Sequence, residues 1–174
     1  MENSAAFLPG EWVVQRHHGP GLVKGSQIMK IGGQENVYYE VETRASTLWL
    51  PEEQMNDEWL RPLASPEELD EALTVLGSAP QPLENDTYKR RGHIMTIRAG
   101  DMPAVVAALL RDLWARRRAK KSLSMDEESI LRHLTDCFLT EWSLLTGLEP
   151  EAAGREFEAL LRDGRKEANL SAES

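Results

Sequence analysis

The sequence predicts an α+β protein: a small antiparallel β-barrel followed by a compact all-helical domain. Residues 7–63 hold short β-type runs at close spacing, punctuated by glycine and proline. From Ser65 onward the apolar residues recur at helical spacing behind capping signals. The 174 residues suffice for one or two small domains, each with a core. The expected plan is a disordered N-terminus (1–6), a β module (7–64), a helical domain (65–163, with a linker at 78–86) and a polar tail (164–174).

The β module opens on Phe7-Leu-Pro-Gly-Glu-Trp-Val-Val and continues through His17-His-Gly-Pro-Gly-Leu-Val. Val37-Tyr-Tyr-Glu-Val and Thr47-Leu-Trp-Leu-Pro51 follow, and Leu60-Arg-Pro-Leu63 closes it. Strand alternation sets Tyr39 and Val41 on one face and Tyr38, Glu40 and Glu42 on the other. Leu48 and Leu50 alternate with Thr47 and Trp49 in the same way. Ile31-Gly-Gly-Gln-Glu-Asn36 reads as a hairpin tip.

Ser65-Pro-Glu-Glu is a capping box with proline at the first helical position, and Gly77 is a stop. Leu69, Leu73 and Leu76 line that helix. A short helix is expected over Thr87–Arg98. Asp101 is expected to cap the next helix, in which Val105, Leu109 and Leu113 run beside Val106, Leu110 and Trp114. Ser124-Met-Asp-Glu127 is a second capping box. It opens the longest helix, faced by Ile130, Leu134, Phe138, Trp142 and Leu145 and ended by Gly147. A last helix is expected over Pro150–Arg162, using Ala153, Phe157, Leu160 and Leu161, with a frayed tail after Gly164.

Apolar residues make up 41% of the chain, which excludes a disordered protein. No apolar run approaches the roughly 18 residues of a membrane span. The N-terminal residues lack the pattern of a signal peptide. Cys137 is the single cysteine, so no intrachain disulfide forms, and a cytoplasmic location is expected. The net charge is −9, but Lys89 to Lys121 carries ten bases against two acids. That basic block is a local footprint for a polyanion, or a solvated face paired with acidic helices.

No phosphate loop, nucleophile elbow or His-Glu-x-x-His helix is present, so no catalytic group and no enzyme activity is expected. His17, His18, His133 and Cys137 could hold zinc if the two halves converged. Strand-end histidines and a small core cysteine explain them more simply, so neither a metal nor a cofactor is expected. Trp49 is a candidate exposed interface anchor. Arg111 and Arg118 share a face of one helix, and Arg116 is placed to pair with Asp112.

The order of these pieces resembles the CarD/CdnL family of bacterial transcription regulators. The likeness is carried by a Val-Val strand, His18-Gly-Pro-Gly, Tyr38-Tyr39, Thr47 before a short strand ending in Pro51, and Leu60-Arg61. Ala99-Gly-Asp101, the run from Val105 to Trp114, and Leu123-Ser-x-x-Glu127 extend it through the helical part. The resemblance implies a Tudor-like β module, shared with transcription-repair coupling factors, that pairs a strand with the RNA polymerase β subunit. The matching residues here are Thr47, Leu48, Trp49 and Leu50.

It also implies that the helical domain contacts upstream promoter DNA without sequence specificity and modulates open-complex stability. The basic residues that match the family for that role are Lys89, Arg90 and Arg91, with Tyr88 beside them; on the next helix Arg111, Arg117, Arg118, Lys120 and Lys121 are further candidates for phosphate contact. Trp49 and Met29 stand where relatives often carry arginine. Asp86 stands where they carry a wedging tryptophan. The expected protein is a cytoplasmic monomer, brought to the nucleoid by RNA polymerase and without membrane contact. The alternative is a protein–protein interaction module of the same fold with another partner and no DNA role.

Overall fold

The molecule is described by a computed structural model covering residues 7–173, so the expectation of disorder at 1–6 lies outside the described residues. The chain divides between Leu63 and Ala64 into two compact units.

The first unit is an antiparallel five-stranded sheet. Its strands are β1 (Trp12–Gln15), β2 (Gly19–Ile31), β3 (Gln34–Thr43), β4 (Thr47–Pro51) and β5 (Leu60–Pro62), in the order β4-β3-β2-β1-β5. β4 and β5 are the outer strands. The β2–β3 hairpin turns at Gly32 and Gly33, with φ of 62° and 85°. Two consecutive positive φ values make the tight turn that matches strand twist, and glycine adopts them without strain. Ile31 therefore pairs directly with Gln34.

Strand alternation puts Val13, Val23, Val41, Leu50 and Leu60 into one core with Phe7 and Met55. Tyr39, Leu48 and Trp59 pack against it. Each fully buried valine or leucine contributes about 1.5–3 kcal/mol. Buried Gln15 accepts hydrogen bonds from the backbone N–H groups of His17 and His18, both at 2.8 Å, which shapes the β1–β2 turn.

The second unit has five helices: α1 (Pro66–Leu76), α2 (Thr87–Ile94), α3 (Pro103–Arg118), α4 (Met125–Thr146) and α5 (Pro150–Ala172). Their core is built from Leu69, Leu76, Ile94, Leu109, Leu110, Leu113, Leu134, Phe138, Trp142 and Phe157, among others. Ser65 caps α1 by accepting from the N–H of Glu68, and Ser124 and Glu127 form a reciprocal capping box on α4.

Four expectations change. α2 stops at Ile94 rather than Arg98. Asp101 does not cap α3; the capping residue is Met102, and Asp101 instead accepts from the N–H of Arg98 at 2.9 Å. Val105 is 46% exposed, because it lies in the first turn of α3, outside the packed stripe.

The fourth change concerns the C-terminal residues. α5 runs on to Ala172 instead of fraying after Gly164. Gly164 is buried, and a Cβ there would collide with the carbonyl of Ser78. It is a point of close backbone approach, not a helix stop.

Candidate functional site

The sequence places four candidate residues on β4. Among the described residues, β4 is hydrogen-bonded to β3 alone, so its other edge is open. Leu48 and Leu50 turn toward the core, with Leu50 buried. Trp49 lies on the opposite face, across from Glu40, and is 40% exposed. Thr47 is exposed at the start of the strand. An open strand edge with a half-exposed tryptophan beside it suits strand addition by another protein.

The basic block of the helical unit separates into internal and external groups. Arg90 is 3% exposed. Its Nε donates to Glu127 Oε1 at 2.7 Å, and its Nη2 donates to Oε2 at 3.3 Å. Its Nη1 donates to the carbonyls of Glu84 and Asn85. Glu127 Oε2 also accepts from the N–H of Ser124 at 2.8 Å. Burial pushes the Glu127 carboxyl up. The hydrogen bonds from Arg90 and from the Ser124 backbone outweigh that, and its pKa lies below the ordinary value. The expected DNA contact by Arg90 is therefore corrected: its donors are used inside the fold.

Arg111 is corrected likewise. Its Nε donates to Asp112 Oδ1 at 2.8 Å and its Nη1 to Ser78 Oγ at 2.7 Å. Asp112 Oδ1 accepts in turn from the N–H of Gln81, so this pair pins the 78–86 linker. Asp112 is thus held by Arg111, and the expected Arg116–Asp112 pair does not form. Arg118 stacks over Trp114 at 5.8 Å and faces a groove along α5. Arg117 also lies over Trp114, but its guanidinium pairs with Glu128 at 3.6 Å, a contact Arg118 does not make.

Two of the remaining bases reach the first turn of α4. Arg91 reaches Asp126 at 2.9 Å, and Arg117 reaches Glu128 while lying 5.1 Å over Trp114. With Arg90 on Glu127, three consecutive acids of α4 are each engaged by a base from α2 or α3. Lys89, Lys120 and Lys121 are exposed and form no ion pair among the described residues. Tyr88 is 87% exposed on the first turn of α2. Asp86, two positions earlier, accepts from the N–H of Lys89 at 2.8 Å and caps α2. Lys120 has φ of 57°, and the N–H of Lys121 reaches the carbonyl of Arg116 at 3.3 Å. This is a left-handed helix end with lysine where glycine is usual.

His133 and Cys137 meet one turn apart, with Sγ 3.8 Å from Nε2. Burial, with the charges of Asp136 and Glu141, pushes the Cys137 thiol up to about 12. The thiolate that a nucleophile or a metal ligand needs is thereby disfavoured. Among the described residues no group of three or more histidines, cysteines and acids is placed to hold a metal ion.

A family model, described as the C-terminal domain of CarD, matches residues 71–158. The chain belongs to the CarD family. The match lies within the helical unit, from the middle of α1 into α5. The CarD family comprises non-enzymatic transcription factors that interact with the transcription machinery. This CarD-like protein is accordingly transcription-related. No helix among its described residues is long and apolar enough to cross a membrane. The acid at position 86 is now explained locally, by helix capping. The Arg90–Glu127 pair was missed by sequence reading. Its only signal was the capping-box glutamate, which accounts for one carboxylate oxygen and leaves the other open.

Proposed function

We propose that this CarD-family protein docks on the β subunit of RNA polymerase through the open edge of β4. Its helical unit then sets Lys89, Arg91, Arg117, Lys120 and Lys121 against the phosphates of upstream promoter DNA, with Tyr88 at the same surface. The exposure of these five bases, with Lys89, Lys120 and Lys121 in no ion pair among the described residues, carries the reading. Trp49 serves as the apolar anchor beside the paired strand, in place of a charge. The contact with DNA is electrostatic and not sequence-specific, and it modulates open-complex stability by favouring the state that offers more phosphate. No substrate is turned over and no cofactor is used.

The test is binding of the full chain to whole RNA polymerase and to the isolated β-subunit lobe. Saturable binding to both, weakened in Trp49→Ala with an unchanged circular dichroism spectrum, supports docking through β4. DNA affinity of the polymerase complex is then measured against salt. Replacing Lys89, Lys120 and Lys121 by alanine should flatten the logarithmic salt slope by about 2–3. Absence of polymerase binding would overturn the reading and leave an interaction module with another partner.

A further inference from the structure

A groove of about 610 Å³ lies between the last turn of α3 and the C-terminal half of α5. Four cations line it, Arg118, Arg162, Arg165 and Lys166, together with Asn169 and no carboxylate. The α5 members recur at helical spacing on one face. The remaining walls are small, Pro80, Ala115, Ala119 and Ala168, so they leave room between the charged groups.

Like charges facing one another across a groove disfavour the empty state. Arg118 Nη1 is buried and makes no hydrogen bond. Among the described residues none of the four cations forms an ion pair. Burial, and then the charge of Arg165, lowers the pKa of Arg118; Arg162 adds to this and Glu158 opposes it. A guanidinium has donors only, so a buried N–H of Arg118 calls for an acceptor.

We propose that this groove binds a phosphate-bearing polyanion, held by Arg118, Arg162, Arg165 and Lys166. Arginine forks match phosphate oxygens in pairs, and lysine adds a point charge. The four cations are spread along the groove, which suits linked phosphates. Two sources share this chemistry: a free oligophosphate and the phosphodiester backbone of a nucleic acid strand. Arg162, Arg165 and Lys166 belong to none of the surfaces described above, Arg118 is turned from the expected DNA surface toward this groove, and the inference holds whether or not polymerase is the partner.

The experiment titrates tripolyphosphate into the full chain by calorimetry, without DNA or polymerase. Saturable binding at one site is expected, with a melting temperature that rises with ligand concentration. Arg165→Ala combined with Lys166→Ala should weaken it roughly tenfold or more. Both residues are exposed on α5, so the fold tolerates the change. Lys30→Ala, on β2 of the first unit, should leave it unchanged. No saturable binding, or equal binding by the Arg165 and Lys166 variant, would overturn the proposal. A short duplex added as competitor separates the sources. Displacement of tripolyphosphate, lost in the variant, supports the site with a nucleic acid strand as ligand. Tripolyphosphate binding without displacement supports it with a free oligophosphate.

Discussion

Arg90 and Glu127, 37 residues apart in sequence, form a buried, doubly hydrogen-bonded ion pair that ties α2 to the first turn of α4. The same carboxylate closes the α4 capping box, so one side chain serves a local and a long-range contact. Removing one partner would leave an uncompensated buried charge. Arg90→Ala should therefore destabilise the protein by about 3–5 kcal/mol. Arg91→Ala, whose pair with Asp126 is exposed, should cost about 1 kcal/mol or less. Urea denaturation of the two variants checks this. A similar stability for both would remove the structural role assigned to Arg90.

Glu127 also sets a pH dependence. Its pKa in the folded chain lies below the ordinary 4.5, whereas in the unfolded chain it returns there. The unfolded state thus binds the proton more readily. The stabilisation is fully present above the unfolded value and is lost as pH falls through the folded one. Glu127→Gln should be less stable at neutral pH and show a shallower loss of stability on acidification. Denaturant midpoints collected from about pH 7 to about pH 3 test it. Parallel curves for the two proteins would show that other carboxylates govern the acid limb.

Gly164 sits where α5 crosses the carbonyl of Ser78, with no room for a side chain. The opposing atoms are backbone and cannot rotate away. Gly164→Ala should destabilise by about 1–3 kcal/mol, although alanine is the better helix former. Gly154, also on α5 and with open space around its Cα, provides the control. Gly154→Ala should be neutral or stabilising by up to about 1 kcal/mol. Thermal unfolding of the pair distinguishes close packing from helix propensity, since propensity alone would stabilise both.

Lys120 holds a left-handed backbone at the end of α3, with φ of 57°. A residue with a Cβ is strained there by about 1 kcal/mol. Lys120→Gly should raise stability by about that amount. If its ammonium meets phosphate as proposed, DNA affinity should fall in the same variant. Stability and affinity moving in opposite directions is the expected result. A gain in stability with unchanged affinity would take Lys120 out of the DNA surface.

Much of the local structure was legible from residues near one another in sequence. Ser65 and Ser124 announce their helices through hydroxyl caps, and both helices begin where those caps place them. Gly32-Gly33 announces a hairpin turn. The alternation of Leu48, Trp49 and Leu50 correctly separates the core-facing residues from the exposed one. The basic block was legible as a block but not as a set of roles. Arg90 and Arg91 are neighbours of the same polarity, and one is buried while the other is 58% exposed.

Sequence by itself determined the α+β class, the order of strands and helices along the chain, the starts of α1, α2, α4 and α5, and the resemblance to the CarD/CdnL family. These depend on caps, turns and periodicity, which act over a few residues. Tertiary structure alone decided which bases stay outside. Arg90 and Arg111 are consumed by acceptors brought from distant segments, and Arg118 is turned toward α5. It also decided that Gly164 is a packing contact and that α5 continues past it, carrying Arg165 and Lys166 into a groove. The physical reason is the same in each case. Burial and charge pairing depend on what lies opposite a residue in space, and no periodicity along the chain encodes that partner.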